Sequence, residues 1–224
     1  MHPSTTTYNG NPTLYITDLS PFGARLRLVS AFTGQSFSEV PPPGGAGSDS
    51  MKAISHFGRM PAIETGDQVL IESIPLMEYL VERAGGSKIV PSDIEQRAAM
   101  RGIMIAHDNY VLGAIWPMFL TLRSGKPDSG IVTSALGAAT DQYQVLTRLF
   151  SPESNFAVGT GVSLADLAMV PFALLFGAIY PKFGVPDPFV EQPRLERWKE
   201  TAMAIPEVSK VMTVMQAAIT KAFG

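Results

Sequence analysis

The residues best suited to chemistry begin at Ser20-Pro21-Phe22-Gly23, directly after the run TLYIT at residues 13–17. A short segment rich in β-branched and aromatic residues, followed by Ser and Pro, predicts a strand-to-helix turn. Ser20 takes the N-cap and Pro21 the first helical position. A hydroxyl there can donate to an anion, and the helix dipole adds to the attraction. A thiolate is such an anion, and stabilising it draws a thiol pKa toward neutrality. Taken alone, Ser20 reads first as an ordinary cap.

The chain contains no cysteine. Disulfides, Cys-based metal sites and a thiol nucleophile of the protein's own are therefore excluded. In a thioredoxin-type fold the turn at Ser20 is where a Cys-x-x-Cys pair would sit. A thiol acting at this turn must come from another molecule.

Two further segments carry polar groups in useful order. In Gly58-Arg59-Met60-Pro61-Ala62-Ile63, Pro61 opens a predicted strand, a place where a cis peptide bond can occur. A cis bond would offer the backbone N–H and C=O of Met60 to an extended peptide; an ordinary trans proline is the alternative. In Ile71-Glu72-Ser73, Ser73 and the N–H groups of a new helix suit a carboxylate, and Glu72 suits an ammonium. The pair fits an amino-acid head group, or else a plain cap beside a solvated acid.

The elements that must position these residues are legible as local patterns. Residues 13–85 alternate short strands and helices: a strand at 13–17, a helix from Ser20 to about Phe32, and a strand at 37–40. Residues 41–50 (PPPGGAGSDS) read as loop. Residues 62–64 and 69–71 form a hairpin around Thr65-Gly66-Asp67-Gln68, and a helix from Glu72 to about Ala84 ends at Gly85-Gly86. Beyond that the strands stop. Helices are expected from about Asp93 to Leu122, bent at Gly102, Gly113 and Pro117, and from about Ile131 to Phe150. Others follow from Ser163, at 193–203 and at 206–222. The division expected is a flexible segment 1–12, an α/β thioredoxin-like domain 13–86, a linker 87–94 and an all-α domain 95–224.

In this order, residues 20–28 (SPFGARLRL), 58–63 (GRMPAI) and 71–83 (IESIPLMEYLVER) resemble the cytosolic glutathione transferase superfamily. The first run is most similar to the tau class, whereas the omega class has Cys at the place of Ser20. Gly161-Val162-Ser163-Leu164-Ala165-Asp166 resembles the family's N-capping box and staple. In it Ser163 accepts from the Asp166 N–H, Asp166 reaches back to the Ser163 N–H, and Val162 packs on Leu167. The resemblance spans about residues 13–222.

It implies an α/β thioredoxin-like N-terminal domain, an all-α C-terminal domain, and glutathione as co-substrate. Ser20 would activate the thiol, Met60 would present its backbone to the cysteinyl part, and Pro61 would be cis. Phe22 would join the glutathione site, and Glu72 and Ser73 would hold the γ-glutamyl end. The second-helix region reads as replaced by the loop at 41–50, so the base for the glycyl carboxylate is open among Lys52, His56 and Arg59, with Arg59 preferred beside Met60. The helix after the linker would face the electrophile with His107, Tyr110 and Trp116. Aromatic residues at helical spacing are more often core, and His107 is more often a satisfied histidine than a proton carrier.

The activity implied is conjugation, dehalogenation or aryl-ether cleavage on a small apolar or aromatic electrophile. The rivals are a glutathione-dependent isomerase and a non-catalytic binding module. A mixed-disulfide mechanism is disfavoured without cysteine. A homodimer is implied, and a heterodimer with a related chain stays open.

Composition sets the outer bounds. The 224 residues are 46% hydrophobic and 17% charged with a formal charge of −3, which fits a globular protein and gives no basic surface for nucleic acid. His2, His56 and His107 show no ligand spacing, so no metal is expected. The first residues lack a basic and an apolar signal region. The apolar stretch at 164–179 is short and broken by Asp166 and Pro171. No membrane partner is expected, and the compartment expected is the cytoplasm.

Overall fold

The computed structural model of the protein describes residues 10–223. The expected flexible segment lies, through residue 9, outside the described residues. The chain divides into two compact units between Ser87 and Lys88.

In the first unit, β1 (Thr13–Tyr15) leads to α1 (Pro21–Thr33), which Gly34 ends at φ 70° in the left-handed region. Then follow β2 (Ser38–Val40), α2 (Asp49–Ser55), β3 (Ala62–Thr65), β4 (Gln68–Ile71) and α3 (Ser73–Arg83). The sheet order is β2-β1-β3-β4, with β1 and β2 parallel and the other neighbours antiparallel. This is a thioredoxin-like arrangement. β3 and β4 join through the two-residue turn Gly66-Asp67. Leu14 and Ile63 of the sheet, Leu26, Leu28 and Val29 of α1, and Leu76, Met77 and Leu80 of α3 are buried, and α1 packs on α3.

The register brings the polar segments together. Tyr15 pairs with Val40 on one side and Ala62 on the other, and Ala62 pairs with Ile71, so one row crosses all four strands. One residue past that row stand Ile16, Pro61 and Glu72. The lead into Ser20, the Met60–Pro61 bond and the start of α3 therefore leave the sheet at the same end.

The loop expected at 41–50 does not replace the second helix. It stops at Ser48, whose Oγ accepts from the Met51 N–H at 3.0 Å and caps α2. A seven-residue helix is too short to show a periodic apolar stripe, and its signal lies in the cap and in Asp49 beside it.

Among its described residues the second unit carries helices and no strand: α4 (Ile94–Ala106), α5 (Leu112–Arg123), α6 (Ser129–Leu146), α7 (Leu164–Ile179), α8 (Pro188–Glu191), α9 (Pro193–Met203) and α10 (Pro206–Phe223). The break in the long helix corrects the expectation drawn from its glycines and proline. α4 runs through Gly102, and α5 runs through Gly113 and Pro117. The interruption is the π-helical turn His107–Val111 between them. α6 ends earlier than expected and tightens into a 3₁₀ turn at Thr147–Leu149.

α7 is the core helix, packed by α4, α9 and α10. With the 3₁₀ turn Tyr180–Phe183 it forms a mostly apolar span of 20 residues, longer than the sequence suggested, and most of it is buried. Its N-terminus closes on the wholly buried Asp166. That carboxylate accepts from the Ser163 N–H, the Ser163 hydroxyl, the Ala157 N–H and Trp198 Nε1, each at 2.8 Å. The capping box is thus one half of a larger junction between α7, the preceding loop and α9.

Candidate active site

Ser20 sits at the N-cap of α1 with extended backbone, and its Oγ accepts from the Gly23 N–H at 3.1 Å. This contact uses a lone pair. No acceptor for the hydroxyl proton stands among the described residues, so capping and donation are compatible in one group. Ser20 is 7% exposed. The helix can approach β1 this closely because residue 23 is Gly. A Cβ there would stand 2.8 Å from Cγ2 of Ile16 and 3.0 Å from its Cβ, a branched side chain with little room to yield.

At the start of α3, Glu72 has φ 70°, ψ 121°, in a region that L-residues avoid, at a typical cost of about 1–3 kcal/mol. Its exposed side chain makes no cap hydrogen bond. The carboxylate is thereby left for a partner outside the helix. Ser73 is buried. Its Oγ accepts from Nη1 of Arg25 at 2.8 Å, which leaves the Ser73 proton for an acceptor.

Arg25 is the residue that sequence reasoning missed. It is wholly buried, and its guanidinium lies 5.1 Å from the centroid of the Phe22 ring. Its one signal was a charge beside the apolar residues Ala24, Leu26, Leu28 and Val29, which α1 buries. Phe22, assigned to the glutathione site, therefore also supports a buried cation. The arrangement places one guanidinium and the N-termini of α1 and α3 at one end of the sheet, a setting that favours anions.

The Met60–Pro61 peptide bond is cis, and β3 starts at the next residue. The segment before it is held from two sides. The Ser55 hydroxyl donates to the Arg59 carbonyl at 3.0 Å, and the Gly47 N–H donates to the Gly58 carbonyl at 2.7 Å. Gly58 has φ 66°, and a Cβ would meet Gly47 Cα at 3.2 Å. Among the bases considered for a carboxylate, Lys52, His56 and Arg59 are all exposed, and Lys52 already pairs with Asp49 at 3.1 Å.

In the second unit the three expected pocket residues part company. His107 is wholly buried, with Nδ1 3.0 Å from Asp108 Oδ1 and Nε2 3.2 Å from the Tyr143 hydroxyl. Its ring lies 5.1 Å from that of Phe172. It has no surface to offer a substrate. Tyr110 and Trp116 are 64% and 44% exposed. Exposed aromatic surface of that size suits an apolar ligand or another protein surface.

Comparison with known proteins places these features in context. The family model described as Glutathione S-transferase, N-terminal domain matches residues 14–88, and Glutathione S-transferase, C-terminal domain matches residues 114–206. Glutathione S-transferase Z2 of Arabidopsis thaliana is 26% identical over 212 residues, 89% of each chain. Maleylacetoacetate isomerase of Mus musculus is 24% identical over 169 residues, 72% of this chain and 76% of its own. Among solved structures, human glutathione-S-transferase T1-1 in its apo form shares the fold. Its TM-score is 0.79 at 20% identity, with 95% of this chain and 90% of its own covered.

Proposed function

From the premise that this chain belongs to the cytosolic glutathione S-transferase superfamily, we propose that it is a glutathione transferase in which Ser20 holds the glutathione sulfur as a thiolate. The observation that carries the reading is the convergence at one end of the sheet of Ser20, the cis Met60–Pro61 bond and the Glu72-Ser73 pair. A tripeptide with a thiol in the middle and an amino-acid group at one end needs those three contacts in that order. Glu72 would take the α-ammonium, Ser73 and the start of α3 the α-carboxylate, and the Met60 backbone the cysteinyl unit. Phe22 would line the site, and Arg59 would take the glycyl carboxylate. No metal is assigned.

The protein's part in the reaction is electrostatic. The Ser20 O–H donates to the sulfur, and the dipole of α1 favours its negative charge, so more thiolate is present at neutral pH. The sulfur lone pair forms a bond to an electrophilic carbon. In a displacement, halide or aryloxide leaves with the bonding pair; in an addition, the carbon framework takes up a proton from water. Tyr110 and Trp116 are proposed for the electrophile side. His107 is kept as a support within its core rather than as a proton carrier. The family usually dimerises; we propose a homodimer located in the cytoplasm.

The test is turnover of 1-chloro-2,4-dinitrobenzene with glutathione by the protein and by Ser20→Ala. A large loss of turnover with glutathione affinity nearly intact is the expected result, and unchanged turnover refutes the assigned role. A second reading, a glutathione-dependent isomerase, draws support from the named activity of the mouse relative. Glutathione would then add and leave again. Thiol titration before and after reaction separates the two, since an isomerase leaves the thiol count constant.

A further inference from the structure

A cleft of about 570 Å³ opens within the second unit, in the size range of small-molecule sites. Its floor runs along α7, where the small residues Ala173, Gly177 and Ala178 line it together with Val170 and Leu174. Small side chains at these places leave a trough that packing would otherwise fill. Val190 of α8 and Met203 of α9 extend the apolar lining.

The polar groups of the cleft give it a sign. Asp187 uses Oδ1 to cap α8, accepting from the Phe189 N–H at 3.0 Å. Its Oδ2 turns the other way and lies 3.3 Å from where a Cβ on Gly177 would stand. That oxygen thus overhangs the floor, and it has no donor among the described residues. Glu191 adds a second carboxylate to the lining. The single cation there, Lys199, has its ammonium 5.8 Å from the centroid of the Phe189 ring. Two carboxylates against one ammonium, over an apolar bed, complement a ligand of opposite character.

We propose that this cleft is a binding site for a small hydrophobic amine, with the apolar body along α7 and the ammonium on Asp187 Oδ2 and Glu191. Every residue of the site lies outside the set assigned to glutathione, so the site is independent of the thiol chemistry.

Calorimetric titration of the full chain with 4-phenylbutylamine, in saturating glutathione, tests the proposal against the matched acid, 4-phenylbutanoate. The amine saturates one site and binds at least ten-fold more tightly than the acid. Asp187→Asn keeps an oxygen to cap α8 and weakens the amine about five-fold or more with thermal midpoint unchanged. Ala178→Leu, at a half-buried place on the cleft side, fills the trough and abolishes binding, whereas Trp116→Ala leaves it intact. Equal binding of amine and acid, no binding of either, or binding lost in Trp116→Ala but kept in Ala178→Leu overturns the proposal. Ser20→Ala binds the amine as the parent does, so failure here and failure of the transferase reading are distinguishable.

Discussion

The wholly buried guanidinium of Arg25 donates to the hydroxyl of Ser73 at 2.8 Å, tying the first turns of α1 to the start of α3. The two residues stand 48 positions apart. The bond fixes the Ser73 hydroxyl with its proton directed elsewhere, and it puts a positive charge behind the group assigned to a carboxylate. Arg25→Met, which keeps bulk without charge, is expected to raise the KM for glutathione about ten-fold, roughly 1.4 kcal/mol, with little change in kcat. Ser73→Ala is expected to do the same, and the double variant little more, since both remove one contact. Steady-state kinetics of the three variants check this. A fall in kcat at constant KM would sink it.

Capping and thiol activation can be separated at Ser20. Aspartate is as good a cap as serine, but its carboxylate would repel a thiolate. Ser20→Asp is expected to keep the thermal midpoint and lose turnover, whereas Ser20→Ala loses turnover and about 1 kcal/mol of stability. Should Ser20→Asp retain parental turnover, the hydroxyl is only a cap.

Glu72 combines a left-handed φ with an unused carboxylate. Glycine, without a Cβ, adopts a positive φ at lower cost than Glu. Glu72→Gly is therefore expected to unfold at an equal or higher denaturant concentration, while its Kd for glutathione rises at least ten-fold. A clearly lower unfolding midpoint would show that the backbone there is not strained.

Asp166 is wholly buried and accepts four hydrogen bonds. Burial pushes its carboxyl above the ordinary carboxylate value, although the donors from Ala157, Ser163 and Trp198 pull the other way. Asparagine would turn an amide N–H₂ toward groups that are themselves donors. Asp166→Asn is expected to cost about 2–4 kcal/mol in urea unfolding, because each buried donor left alone costs about 1–3 kcal/mol. A cost below about 1 kcal/mol would show that the junction adapts.

Tyr180 sets an alkaline limit. Burial pushes its phenol to about 12 from the usual 10, with the charge of Asp187 adding to the rise and the bond from Thr140 opposing it. The unfolded phenol ionises near pH 10 and the folded one does not. The stabilisation is therefore whole below pH 10 and is lost as pH rises to 12. Relative to Tyr180→Phe, the parent is expected to lose on the order of 2–3 kcal/mol across that window. Denaturant unfolding of both proteins at pH 9, 10.5 and 11.5 measures it; parallel curves would contradict the shift.

What could be read from the sequence was local. Ser20-Pro21, the Gly66 turn, Gly85-Gly86 and Ser163 with Asp166 each act within a few residues, so their spacing announces them. Arg25 could not be paired in advance, because its partner depends on two helices packing across a sheet. His107 was ambiguous for a related reason: nothing in residues 107–111 marks a π-helical turn, and that turn sets which way the imidazole points. The short α2 and α8 rest on caps at Ser48 and Asp187, single residues with many alternative uses. The cleft on α7 was invisible for the opposite reason: alanine and glycine leave no mark in an apolar helix until the neighbours that fail to fill the gap are in place.

The hydroxyl of Ser20 presents its lone pair to the chain and its proton to whatever arrives. Evolutionary drift at this position therefore meets two filters that most substitutions fail together. A substitution that spoils the helix start would also spoil the proposed reaction, whereas one that keeps the cap, as aspartate does, would be resisted by the reaction alone. Glu72 sits under the reverse regime, where relaxing the backbone would be favoured by folding and resisted only by the ligand. In a descendant that no longer used glutathione, residue 72 would be freed to change first, and residue 20 would persist as a vestige.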